Sequence, residues 1–210
     1  MQRHGNNIQK KQQESTLERI ERMHPHKMLL YLAIIGSSLV FFFMLIAYTI
    51  SKPEMASFGN FPMPKAFIFS TVVMLTSGFI STKVLPAFLQ DDIHTLKRVL
   101  LFTLLLGIVF GISQFVGWQE LRGSGVFMAG KGSGSFLYVL TGLHAAHLLG
   151  GLGFLAYLCI YTFWVASDPV RQLIMVTNPY QKIKLQIFSV YWIFLDVAWL
   201  VLFFYFLFVF

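Results

Sequence analysis

One cysteine, Cys159, stands in a chain of 210 residues, and that scarcity excludes several chemistries at once. A single thiol cannot close a disulfide framework, hold an iron–sulfur cluster or supply the paired cysteines of a covalent haem attachment. Charge is scarce too. Asp, Glu, Lys and Arg together make 12% of the residues, about half the ~25% of an ordinary soluble domain, too little to coat a globular surface in water. Acids are the rarest, nine against sixteen Lys and Arg, for a net charge of +7. No stretch alternates apolar and polar with a period of two, which excludes membrane-spanning strands. Residues 1–27 are polar and lack the short apolar core of a cleavable signal peptide, so the first apolar run is expected to act as the insertion signal. Neither an internal repeat nor a linker long enough to divide domains is present.

What is abundant is apolar surface. Hydrophobic residues make 56% of the chain and 23 are Phe, with a mean hydropathy of +0.67. A helix needs about 20 mostly apolar residues to cross a bilayer. Five runs meet this: 28–50, 66–88, 99–119, 135–165 and 185–210. The second includes Lys83, whose long stem can snorkel to the interface. The fourth is long enough to require tilt or a further turn outside the membrane. The expected fold is therefore all-α, an integral membrane bundle of five transmembrane helices over 28–210 behind a polar tail, 1–27. Within that tail, the alternating charges of 14–23 predict a short surface helix ending near Pro25.

Basic residues set the orientation. The tail, the loop between spans two and three, and the loop between spans four and five share one side and hold 12 Lys and Arg; the other side holds four. This predicts a cytoplasmic N-terminus and an external C-terminus. The positive net charge is thus an orientation signal at a membrane boundary, and no nucleic-acid partner is expected.

Ionisable groups inside lipid are costly and each needs a reason. The fourth span carries His144 and His147, the fifth carries Asp196, and the third ends in Gln114, Trp118, Gln119 and Glu120. His144 and His147 lie three residues apart on one helix face. Two imidazoles one turn apart cannot ligate opposite sides of a haem, and a catalytic metal needs three or more converging ligands. Only Asp196 could join them, so no catalytic, cofactor or metal site is expected. A pair of satisfied histidines in a helix interface is the plain reading; proton handling and lipid headgroup binding are the alternatives. At 1.5 Å per residue, His147 and Asp196 fall at similar depths near the bilayer midplane. Asp196 is expected to pair with His147, with His144 as the alternative. The competing reading is a neutral acid, or one bonded to a hydroxyl or water. Small residues at Gly142, Ala146 and Gly150, and at Gly107 and Gly111, predict close helix packing. The segment 125–132, GVFMAGKG, nearly spells a phosphate loop, but it lacks the final Ser or Thr and a preceding strand. It reads as a flexible connection.

The second half resembles subunit III of haem-copper respiratory oxidases. The resemblance rests on Gln114, Trp118 and Glu120 at the end of one span, a Gly-rich loop, then Ser135 and Tyr138. The run Thr141-Gly142-Leu143-His144-Ala145-Ala146-His147 with Gly151 follows, and YWIFLDVAW from Tyr191 to Trp199 closes it. It covers roughly 105–210; over 66–104 it rests on the hydroxyl-rich FSTVVMLTSG. Two departures stand out: Ile193 where the family has His, and Ser37 and Ser38 where many members carry an acid. The five-span count resembles the short bacterial form.

The resemblance implies a non-catalytic accessory subunit of a cytochrome c oxidase in the cell (inner) membrane. It would pack beside subunit I, with subunit II in the same complex, and support proton uptake. Haem and copper are implied in those partners, with none in this chain, together with bound phospholipid in a cleft between helix groups. The same subunit in a quinol oxidase or nitric oxide reductase complex is an alternative. A membrane metalloenzyme and a secondary transporter are different classes. The first needs ligands not present here, and the second usually shows inverted repeats and broken midplane helices.

Overall fold

The computed structural model describes residues 24–51, 64–125 and 133–209. In chain order it contains α1 (Pro25–Ser51), α2 (Lys65–Ser81), α3 (Val84–Leu89), α4 (Ile93–Gly123), α5 (Ser133–Val165), α6 (Pro169–Thr177) and α7 (Pro179–Val209), and no strand among the described residues. Five stretches are long and apolar enough to cross a membrane: Pro25–Ile50, Lys65–Leu89, Ile93–Gly123, Ser135–Val165 and Pro179–Phe208. Most of the polar tail, its surface helix at 14–23, and residues 126–132 of the near-phosphate-loop segment lie outside the described residues.

The helices begin earlier than hydropathy suggests because polar caps start them. Asp92 accepts a hydrogen bond from the Thr95 N–H at 2.9 Å and opens α4 six residues before the expected 99. Hydrogen bonds from Thr95 hold the Asp92 carboxyl below its ordinary value of 3.8. Asp168 accepts from the Val170 N–H at 2.9 Å, with Pro169 in the first turn of α6. Asn178 Oδ1 accepts from the Tyr180 N–H at 2.9 Å, and Pro179 opens α7. Proline suits these positions because a first-turn N–H has no intrahelical acceptor.

Span two is not one continuous helix as expected. It breaks at Thr82 and Lys83 between α2 and α3. Pro86 has no N–H to donate to the Thr82 carbonyl, so the ladder cannot run through. The Thr82 hydroxyl turns back to the Phe79 carbonyl at 2.7 Å.

Four long helices close a ring: α2 packs on α4, α4 on α5, α5 on α7, and α7 on α2. Its interior is filled by Leu100, Phe110, Leu140, Leu155, Phe188, Trp192, Leu195 and Trp199, all almost fully buried. α1 lies outside this ring, against α5 and α7. Only 6% of its most apolar stretch is buried, against 39–44% for the other four. Its ties are few. The Tyr48 ring meets Phe136, Tyr205 and Phe206, and the Thr49 and Tyr205 hydroxyls share a hydrogen bond.

Close packing falls on other glycines than the stripe at Gly142, Ala146 and Gly150. Ala146 and Gly150 are exposed, and a Cβ at Gly142 would meet nothing within 4 Å. Among the described residues the tight positions are Gly78 against Asp196, Gly117 against Phe67, Gly107, as expected from the sequence, where a Cβ would come within 2.8 Å of Leu152 and 3.0 Å of Trp192, and Gly151, 2.9 Å from Leu195.

Candidate functional site

The polar groups of the interior concentrate where α7 crosses α2. Trp192, Asp196 and Trp199 recur at spacings of four and three, which puts them on one helix face. Opposite them, α2 presents Ser70, Thr71, Ser77, Gly78 and Ser81, all buried. The two helices run antiparallel. Trp199 Nε1 donates to Thr71 Oγ1 at 3.0 Å and Trp192 Nε1 to Ser77 Oγ at 3.2 Å. Between these two indoles, the Asp196 carboxyl sits over Gly78, and a Cβ there would overlap Asp196 Oδ2. Glycine is required by this approach alone. Asp196 is 8% exposed, and among the described residues its Oδ1 has no hydrogen-bond partner.

A second polar level lies toward the far end of α4. Gln114 Nε2 donates to Ser70 Oγ at 2.8 Å, and among the described residues Gln114 Oε1 has no partner. His144 is fully buried between Phe110 and Trp199, with ring centroids at 5.8 and 5.4 Å, and neither ring nitrogen has a partner among the described residues. One turn on, Trp118 Nε1 donates to Thr141 Oγ1 at 3.0 Å, and the Tyr138 hydroxyl to the Trp118 carbonyl at 3.2 Å.

His147 faces away from this interior. Its Nδ1 lies 2.8 Å from the Leu143 carbonyl and its Nε2 3.0 Å from Ser37 Oγ of α1. A carbonyl only accepts, so Nδ1 carries a proton and, in the neutral ring, Nε2 accepts from the Ser37 hydroxyl. Tyr191 donates to the His147 carbonyl at 2.9 Å. The expected partnership of Asp196 with His147, or with His144, therefore does not form. Along the bundle the two are close, since Tyr191 and Phe194 of α7 lie level with His147. Their directions around the helix differ: Asp196 shares the Trp192 and Trp199 face and is turned to α2, whereas His147 is turned to α1.

Of the six residues singled out in the sequence, four converge. Asp196, Trp199, His144 and Gln114 line the α2–α4–α5–α7 interior. His147 belongs to the α1 contact. Glu120 is exposed near the end of α4, and among the described residues none bonds its carboxylate. Sequence reasoning missed Thr71, Ser77 and Gly78 as the partners of α7, and Ser70 as the partner of Gln114 on α4. The signal was available, because Ser70, Ser77 and Ser81 recur on one helical face of an otherwise apolar span. Ser37 was noted only as a departure, and it is the residue that ties α1 to His147.

The donor set does not fit a haem or copper centre. Among the described residues no group of three or more His, Cys, Asp or Glu side chains is placed to hold a metal ion. His144 is turned to Phe110 and Trp199, whereas His147 meets Ser37 of α1, so the two rings do not share a neighbour that could complete a ligand set. What the arrangement does chemically is join helices, since the indoles, the Gln114 amide and the His147 ring each bond a hydroxyl of a neighbouring helix.

Comparison with known proteins gives the family. The family model of cytochrome c oxidase subunit III matches residues 26–210. The chain is 28% identical over 175 residues to a probable cytochrome c oxidase subunit 3 of Mycobacterium tuberculosis, covering 80% of this chain and 81% of the relative. A Nocardia farcinica protein of the same description is 28% identical over 176 residues, again 80% and 81%. The cytochrome c oxidase subunit 3 of Bacillus subtilis is 27% identical over 135 residues, covering 64% of this chain and 60% of that protein. With nearly all of the described helices inside the matched range, the chain belongs to the cytochrome c oxidase subunit III family.

Proposed function

We propose that this chain is the non-redox accessory subunit of a cytochrome c oxidase in the cell membrane, packing beside subunit I and supporting proton uptake during turnover. The observation that carries this reading is the use of the buried polar groups. Trp192, Trp199, Gln114, Trp118 and His147 each bond a hydroxyl on a neighbouring helix, so they brace the bundle and do not converge on a substrate or metal. Haem and copper then reside in partner subunits. The basic count of 12 against four supports a cytoplasmic N-terminus and an external C-terminus.

Phospholipid has a fitting seat between α1 and α7. A cleft of about 460 Å³ is walled by Ile35, Leu39, Phe42, Phe194 and Val201. Toward the start of α1 a further cavity of about 300 Å³ carries Lys27, Tyr31, Gln186 and Ser189 at its edge. Acyl chain along the first and phosphate at Lys27 would match apolar to apolar and charge to charge.

The test is co-purification. Affinity capture of this chain from its native membrane, in mild detergent, is expected to bring down a haem-bearing chain and cytochrome c oxidase activity. Capture of the chain without a haem protein would overturn the proposal.

A further inference from the structure

The nine-residue helix α6 has its polarity inside out. A connection between two spans usually turns charge to water. Here Val170, Leu173 and Ile174 are 66%, 67% and 58% exposed, and their spacing of three and four puts them on one face. Of its polar side chains, Gln172 and Arg171 turn back toward the protein, with Arg171 still 40% exposed. Gln172 Nε2 donates to the Ala166 carbonyl at 3.1 Å, and the Arg171 guanidinium lies 4.0 Å from the centre of the Trp164 ring with Asp168 at 3.4 Å. Met175 is the only buried apolar residue of α6. A face built this way is not made for water.

Its position says what covers it. Three residues, Ala166 to Asp168, separate α6 from the end of α5, and Asn178 alone separates it from α7. Nine residues span about 14 Å, too short to cross a bilayer. Both tethers hold it at the level where two spans leave the membrane. Half-exposed Trp164 and Tyr180 flank it. Rings that are apolar in body and polar at one edge belong at that boundary. Lys184 lies over the Tyr180 ring at 5.0 Å.

We infer that α6 is an interfacial helix whose Val170, Leu173 and Ile174 dip into the acyl region of the adjoining leaflet, with phospholipid as the occupant of that face. The inference goes beyond the subunit assignment and does not need it. A helix of this kind sits about 5–10 Å into the headgroup and acyl boundary.

Depth-dependent quenching tests it. Leu173→Cys, in a Cys159→Ser background, is labelled with an environment-sensitive fluorophore. The full chain is then reconstituted into vesicles, alone and within the oxidase complex. Phospholipids brominated near the headgroup end of the acyl chain are expected to quench the label strongly in both preparations, and aqueous iodide weakly. Quenching by iodide without quenching by bromolipid would place the face in water and overturn the inference. Bromolipid quenching of the chain alone that disappears in the complex would assign the face to a protein partner and overturn it equally. Val170→Cys serves as the second position if Leu173→Cys fails to incorporate.

Discussion

Gly78→Ala adds one methyl group where the structure has no room for it. The new Cβ would overlap Asp196 Oδ2 and stand 2.9 Å from its Cγ. The carboxyl oxygen can swing aside, but its Cγ is also too close, and Trp192 and Trp199, one turn to either side on the same face, are each bonded to α2. Making room is therefore expected to push α7 and α2 apart. Overpacking of this kind costs about 1–3 kcal/mol, and stretching the two indole bonds adds roughly 0.5–1.5 kcal/mol each if they are lost. With both bonds lost, the expected loss is about 2–6 kcal/mol. The sign is itself diagnostic, because Gly→Ala inside an unobstructed helix is favourable by up to about 1 kcal/mol. Gly36→Ala in α1, where a Cβ would meet nothing within 4 Å, is the control and is expected to be neutral or slightly stabilising. The assay is thermal or denaturant unfolding of the detergent-solubilised chain, run as a cycle with Asp196→Ala. Removing the carboxyl makes space, so the double variant should cost clearly less than the sum of the singles. Strict additivity, or a Gly78→Ala variant as stable as the parent, would refute the placement of Asp196 against α2.

Other consequences follow from the same contacts. Trp199→Phe and Thr71→Val should each destabilise the chain and couple in a double-mutant cycle by about 0.5–1.5 kcal/mol, whereas Trp199→Phe and Ser37→Ala should be additive. Ser37→Ala removes the hydroxyl that bonds His147, and should raise hydrogen exchange in α1 while leaving α4 protected. Hydrogen bonds from Thr95 lower the folded-state value of Asp92, so its stabilisation is complete above the ordinary carboxylate range and is lost as pH falls through the lower folded value. Exchange at the start of α4 should rise in that acidic window, and Asp92→Asn should flatten the dependence.

The architecture was legible in the sequence where it depends on length and apolar content. Five runs of the right size left no other fold, and they are the five long stretches of the structure. Helix starts were not legible from hydropathy, because the caps at Asp92, Asp168 and Asn178 lie in polar loops ahead of the apolar run. The site was legible in depth but not in direction. Residue count predicts similar heights for Asp196 and His147 along their helices, and Phe194, two residues before Asp196, packs level with His147. Which way a side chain points around its helix depends on the neighbour it meets. The pattern that decides this for Asp196 is the pair of tryptophans at 192 and 199, facing the hydroxyls of α2. The glycine stripe on α5 misled for the same reason: small residues permit a close approach, but whether a helix takes it is settled by what packs there. For Gly151 the neighbours are Leu195 and Tyr191; for Gly142 there is none within 4 Å.

The central claim is that this chain braces an oxidase and holds no redox centre itself, and deletion tests it most directly. Oxidase purified from a strain lacking this chain should keep the full haem content of its partner subunits, with an unaltered reduced-minus-oxidised spectrum. It should lose activity faster during sustained turnover than the complete complex. Loss of haem in proportion to loss of this chain, or a stoichiometric haem spectrum in the chain purified alone, would contradict the account.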